Sequence, residues 1–131
     1  MIRKEETICA PATSPGGALS IIRISGPRSI DICSEIFIPG DQRIHLGEQK
    51  GYTVVFGDVG YNGEIIDEVL LTIFRAPHSY TGEESVEISC HGSPYIQKKI
   101  LELLISRGAA PAQPGEFTQR AFLNGKMDLS Q

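Results

Sequence analysis

Asn62-Gly63 stands between two alternating apolar runs, YTVVFGDVGY (52–61) and EIIDEVLLTIF (64–74), and restricts the fold of this 131-residue chain more than any other feature. A two-residue connection of this kind needs positive φ at both positions, which Asn and Gly tolerate, and its twist matches that of the flanking strands. The sequence therefore predicts a long antiparallel hairpin. Further strands follow from the same period of two. In ALSIIRISG (18–26), Ile22 and Ile24 alternate with Arg23 and Ser25; in ESVEISCHG (84–92), Val86 and Ile88 alternate with Glu87. TICAPA (7–12) is a shorter strand candidate, and AAPAQP (109–114) reads as extended.

Three segments carry helical spacing. Ser25-Gly26-Pro27 is expected to open a helix that runs to about Phe37, with Ile30, Cys33 and Phe37 on one face and Pro39-Gly40 as its stop. SPYIQKKILELLISRG (93–108) is the clearest helix. Ser93 is its N-cap, Pro94 lies in the first turn, and Gly108 supplies the C-terminal cap; Ile96, Ile100, Leu101, Leu103 and Leu104 form the apolar face. EFTQRAFLNGK (116–126) is a short helix stopped by Asn124-Gly125. TSPGG (13–17), residues 41–50 and RAPHSYTGEE (75–84) are loops. The order β-β-α-β-β-β-α-β-α places strands in runs rather than in alternation with helices. The expected class is α+β: a mixed, largely antiparallel sheet with helices on one face.

Charge and composition exclude several functions. Twelve basic against sixteen acidic residues leave a net charge of −4, which argues against electrostatically driven nucleic-acid binding by this chain alone. The longest uncharged apolar runs, ALSII (18–22) and VLLTIF (69–74), fall far short of the ~18 residues of a membrane span. MIRKEE is followed by no apolar stretch, so no signal peptide is read and a cytoplasmic setting is expected. Cys9, Cys33 and Cys90 are too sparse for a disulfide framework and are expected to be small buried hydrophobes.

No G-x-x-x-x-G-K-[ST] or G-x-G-x-x-G string occurs, so the glycine turn at 13–17 is not a recognised phosphate cradle. Three histidines without a C-x-x-C pair do not make a zinc site. Cys90 and His91 are neighbours on an extended strand and point to opposite faces, so they do not form a nucleophile–base pair. No catalytic residue and no metal ligand is assigned. Arg23 and Glu87 are different. Each is a charge in the middle of an apolar strand; they either pair as outward, solvated groups or line one concave ligand site on the open sheet face. A carboxylate such as Glu87 suits a heterocycle with adjacent N–H and NH₂ donors, which a pterin offers, and Arg or Lys suits the carboxylates of a folate tail.

The strings IIRISG (21–26), PHSYTGEESVEISCHGSP (77–94) and PGEFTQRAFLNGKMDL (114–129) resemble the N-terminal domain of the tRNA-modification GTPases called MnmE or TrmE. The resemblance runs in order from about Thr7 to the last residue. It implies an N-terminal folate-binding and homodimerisation domain over residues 1–126. Residues 127–131 would then be the start of a truncated helical domain, with the GTPase domain absent. It implies a fold similar to half of the folate-binding unit of aminomethyltransferases. The implied ligand is 5-formyl- or methylene-tetrahydrofolate; GTP, magnesium and potassium would belong only to the absent GTPase domain. The implied partners are a second copy of the chain, an FAD-containing protein of the MnmG or GidA type, and tRNA through the full complex, whose wobble uridine receives an aminomethyl-type group at carbon 5. The family's folate contacts fall on Arg23, Glu87 and Lys126, with Glu87 reading the pterin edge and the two cations meeting polar ligand atoms. Tyr80, Phe117 and Arg120 lie in the same strings and are weaker candidates. Two positions depart from the family pattern: ATSPGGALS is shorter and less glycine-rich than A-T-P-P-G-x-G-G-V-G, and H-G-G-P reads His91-Gly92-Ser93-Pro94. Two alternatives stand beside this reading: a fragment of a folate-dependent aminomethyltransferase, and a dimerisation module without folate.

Overall fold

A computed structural model describes residues 5–14 and 16–126. The expected opening of a helical domain at residues 127–131 lies outside the described residues. The strands are β1 (Ile8–Pro11), β2 (Leu19–Ser25), β3 (Phe37–Pro39), β4 (Thr53–Tyr61), β5 (Glu64–Phe74), β6 (Ser85–His91) and β7 (Ala110–Pro111). The helices are α1 (Ser29–Ile36), α2 (Pro94–Ser106) and α3 (Glu116–Leu123), with a short 3₁₀ turn at Leu46–Glu48. The strands form one sheet in the order β3-β4-β5-β6-β2-β1-β7. Every pair is antiparallel except β1 with β7, so the sheet is mixed and largely antiparallel, as the sequence predicts.

The hairpin forms where expected. Asn62 and Gly63 have φ of 53° and 80°, the left-handed values a tight connection between β4 and β5 requires. Thr53 to Tyr61 then pair with Ile73 to Glu64, with one irregularity between Val59 and Gly60. The structure adds one strand. The first helix ends at Ile36 rather than Phe37, and Phe37–Pro39 pairs with β4 at the sheet edge. Pro39 explains this: the residue before a proline is pushed out of helical geometry, and an edge strand tolerates the missing N–H.

One sheet face holds the core. Ile22 and Ile24 of β2, Val86 and Ile88 of β6, and Leu71 and Ile73 of β5 are fully buried there, against α1 and α2. Helix α2 presents the expected face: Ile100 and Leu104 are fully buried, and Ile96, Leu101 and Leu103 pack at their flanks. The Ser93 hydroxyl accepts the Ile96 N–H at 3.4 Å, capping the helix start. Helix α3 does not join this layer. Its Phe117 lies against Arg23, on the opposite sheet face.

All three cysteines are unpaired and lie in the core. Burial pushes the Cys9 and Cys90 thiols up to about 11, with the Asp67 charge adding to the effect at Cys90, and lifts Cys33 further. A raised thiol pKa stabilises the fold while the unfolded thiol is also protonated, and the contribution disappears as pH climbs through the folded value. Folding stability, measured by urea denaturation, is expected to hold up to about pH 8.5 and to fall between there and about pH 11. The fall should be shallower in a Cys9→Ala/Cys90→Ala variant. Gly57 gives a second test. A Cβ there would meet the Ile38 carbonyl and the Phe37 ring, where β3 crosses β4. Gly57→Ala is expected to lower stability by about 1–3 kcal/mol through overpacking, and an unchanged denaturation midpoint would contradict this edge pairing.

Candidate functional site

Strands β2 and β6 pair from Leu19↔His91 to Ser25↔Ser85, which sets Ile22 opposite Ile88, Arg23 opposite Glu87 and Ile24 opposite Val86. Directly opposed residues share a face and neighbours along a strand alternate. Because Ile22, Ile24, Val86 and Ile88 face the core, Arg23 and Glu87 necessarily share the other face. The row they occupy reads Ala10, Arg23, Glu87, Thr72 and Val54 across five strands. The next row reads Ile21, Ser89, Leu70 and Phe56.

The two charges touch. Arg23 Nε and Nη2 both lie 3.0 Å from Glu87 Oε2. Their side chains are 17% and 22% exposed, so the pair is largely withdrawn from water yet reachable. Only one carboxylate oxygen is engaged. Oε1 of Glu87 and Nη1 of Arg23 have no partner among the described residues. Each carboxylate oxygen carries two lone pairs, so Glu87 keeps acceptor capacity while bound to Arg23.

Two aromatic rings flank the guanidinium. The Cζ of Arg23 is 4.6 Å from the Tyr80 ring centroid and 5.2 Å from that of Phe117. Both are within cation–π range, worth about 0.5–1 kcal/mol each when exposed and more when desolvated. Tyr80 comes from the 75–84 loop and Phe117 from the first turn of α3; the Tyr80 hydroxyl meets the Thr118 hydroxyl at 3.0 Å and ties the two together. Beside them opens a cavity of about 430 Å³, lined by Arg23, Tyr80 and Phe117 together with the β1 end at Ala10–Ala12 and the Ala112–Thr118 segment. Glu87 does not line this cavity; the cavity offers a fixed cation and two aromatic rings, and the carboxylate with its free oxygen stands next to that cation on the open sheet face.

The structure brings the sequence-derived candidates together unequally. Arg23 and Glu87 are in contact. Lys126 is not; it is exposed and makes no ion pair with a described residue. It follows α3, and its Cγ lies 3.2 Å from where a Cβ on Gly82 would stand, so it sits against the loop that carries Tyr80. Asn124 holds that approach by donating to the Thr81 carbonyl at 2.9 Å. Arg120 is 1% exposed and lies inside a polar network rather than on the cavity wall. Its partner Glu83 was not singled out from sequence. The Glu116–Arg120 spacing of four on a helix is legible, but nothing in the string links Glu83 to a residue 37 positions away.

Residues 7–126 match the family model described as "GTP-binding protein TrmE N-terminus". The chain belongs to this family. It is 62% identical over 128 residues to a tRNA modification GTPase MnmE of Bacteroides thetaiotaomicron, an alignment covering 97% of this chain and 27% of that protein. Proteins of the same description from Parabacteroides distasonis and Porphyromonas gingivalis are 59% and 50% identical over 127 residues each; these cover 95% and 96% of this chain, and 28% and 27% of theirs. The chain thus spans roughly a quarter of the length of these curated relatives.

The contact between the two charges is directly measurable. In a double-mutant cycle of Arg23→Met and Glu87→Gln, denaturation is expected to give a coupling of about 1–2 kcal/mol, above the few tenths of an exposed pair. A coupling of zero would mean that the two side chains do not meet in solution.

Proposed function

We propose that this chain is a folate-binding and homodimerisation module of a tRNA-modifying GTPase, and that the reduced folate lies across the Arg23–Glu87 pair. The observation that carries the proposal is the pair itself: an ion pair on the open sheet face, walled by Tyr80 and Phe117, with one carboxylate oxygen left over. The ligand is 5-formyl- or methylene-tetrahydrofolate. Glu87 accepts from the N–H and amino group of the pterin edge, the rings of Tyr80 and Phe117 offer stacking surface, and Arg23 and Lys126 meet polar or carboxylate atoms. The likeness of the fold to half of an aminomethyltransferase-type folate unit belongs to the same proposal.

A second copy is the natural cover for the rest of this face. Leu19, Val54, Phe56 and Leu70 are 45–65% exposed and stand on the sheet surface that carries Glu87. Exposed apolar side chains grouped beside a site mark an interaction surface. Dimerisation through it would enclose the folate between two sheets.

The larger activity follows the relatives, whose printed names are those of tRNA modification GTPases. We carry that role to the protein of which this chain is the N-terminal module. There an FAD-containing partner of the MnmG type joins in adding an aminomethyl-type group at carbon 5 of the wobble uridine, using a one-carbon unit from the folate. GTP, magnesium and potassium act in the GTPase domain, and the setting is the cytoplasm. No helix among the described residues is long and apolar enough to cross a membrane. The family match favours this reading over an aminomethyltransferase fragment. The exposed apolar face keeps one rival in view, a dimerisation module without folate.

Calorimetric titration with 5-formyltetrahydrofolate, with light scattering on the same sample, separates the two. The wild-type chain is expected to bind as a dimer. Glu87→Ala is expected to stay folded and dimeric while binding at least about tenfold more weakly, the size of one lost charged hydrogen bond. Equal affinity in the variant would remove Glu87 from the site. A dimer that binds no folate would leave the assembly role alone.

A further inference from the structure

Helix α3 carries one wall of the site, yet it has little apolar surface to hold it in place. Of its eight residues, Glu116, Arg120 and Ala121 are buried, while Phe122 and Leu123 are exposed. A helix this short does not hold its own conformation or position without tertiary contacts. Beside the Phe117–Arg23 stacking and the Thr118–Tyr80 hydroxyl contact, a set of polar contacts converges on one side chain. Arg120 Nη1 donates to both oxygens of Glu83, at 3.1 and 3.2 Å, and Nη2 lies 3.4 Å from Glu116 Oε2. Glu83 Oε1 also accepts the Ser25 hydroxyl at 2.9 Å, and Glu116 Oε1 accepts the Gln113 N–H at 2.8 Å. Among the described residues, Arg120 is the one Lys or Arg that is buried.

The chain positions give this network its meaning. Glu83 is three residues from Tyr80, Glu116 adjoins Phe117, and Ser25 is two residues along β2 from Arg23. One guanidinium therefore ties the loop to the helix, and through Glu83 the same network reaches the strand, so the elements that supply the two rings and the cation between them are held together. Burying such a triad is a poor source of stability, because apolar replacements of similar volume are often neutral or better. What a guanidinium provides instead is direction: a planar fork that holds two carboxylates in fixed relative positions.

We infer that Arg120 is the positioning residue of this site: it seats Tyr80 and Phe117 on the Arg23 guanidinium and so sets affinity for a flat heteroaromatic ligand without touching it. The affinity consequence rests on the folate reading; the geometric content does not.

The test uses the full chain and two readouts. The first is the Arg23 Nε–H resonance, which the ring currents of Tyr80 and Phe117 displace; Phe117→Leu supplies its position with one ring gone. The second is affinity for 5-formyltetrahydrofolate by calorimetry. Arg120→Lys keeps the charge and loses the fork. It is expected to leave the helix and strand content intact and to move the Arg23 resonance most of the way to its Phe117→Leu position. It should also weaken binding roughly tenfold, the scale of a desolvated cation–π contact. Combined with Phe117→Leu it should cost less than the sum of the two single losses, because both act on the Phe117 ring. An unmoved Arg23 resonance in folded Arg120→Lys overturns the inference, and so do fully additive affinity losses, which would mark Arg120 as a direct ligand contact. Should Arg120→Lys not fold, Glu83→Gln, which leaves the Glu116 contact in place, must produce a partial shift of the same resonance or the inference falls. A wild-type chain that binds no folate would sink the folate reading, while the resonance would still decide the positioning role.

Discussion

Seven consecutive residue pairs join β2 to β6, and almost everything distinctive about this chain depends on their register. Strand side chains alternate with a period of two, so a one-residue slip of either strand would turn its charge into the core and bring its core residues, Ile22 and Ile24 of β2 or Val86 and Ile88 of β6, out to water. Four buried aliphatic side chains, each worth roughly 1.5–3 kcal/mol of transfer free energy, oppose that slip. The hydrophobic core on one face thereby specifies where two charges stand on the other. The ion pair is a consequence of the packing, not the force behind it.

The two faces are built by different physics. Helices α1 and α2 bury aliphatic side chains and close the core by area. The opposite face is partly covered by the 75–84 loop and α3, which are held by Arg120, Glu83, Glu116, Asn124 and the Tyr80–Thr118 contact. Apolar packing is non-directional, whereas charged hydrogen bonds specify angle and distance. A site that must present two rings to one guanidinium gains from the second kind. The remainder of that face, with Phe56 and Leu70 exposed, is left for a partner surface, which the proposed dimer would supply.

What could be read from the string follows the same division. The hairpin was legible because Asn62-Gly63 admits few backbone solutions, and α2 because Ser93, Pro94 and a continuous apolar stripe agree. Arg23 and Glu87 stood out as charges inside alternating strands, and their placement on one face followed from period alone; their direct opposition did not, since register between strands 64 positions apart is a tertiary fact. Strand β3 was missed because Phe37 continues the helical spacing of Ile30 and Cys33, and only the β4 edge recruits it into the sheet. Lys126 and Arg120 were drawn from family resemblance, which does not distinguish an exposed lysine beside a loop from a buried arginine that organises one.

The proposed placement sets a reduced folate across the Arg23–Glu87 pair and against the rings of Tyr80 and Phe117. The most direct measurement is an NMR titration of the isotope-labelled chain with 5-formyltetrahydrofolate, followed residue by residue. This placement requires saturable shifts concentrated at Arg23, Glu87, Tyr80 and Phe117, with the Ile100 and Leu104 signals of the opposite face unmoved. Saturable shifts centred elsewhere, or none at ligand concentrations that saturate a micromolar site, would contradict it.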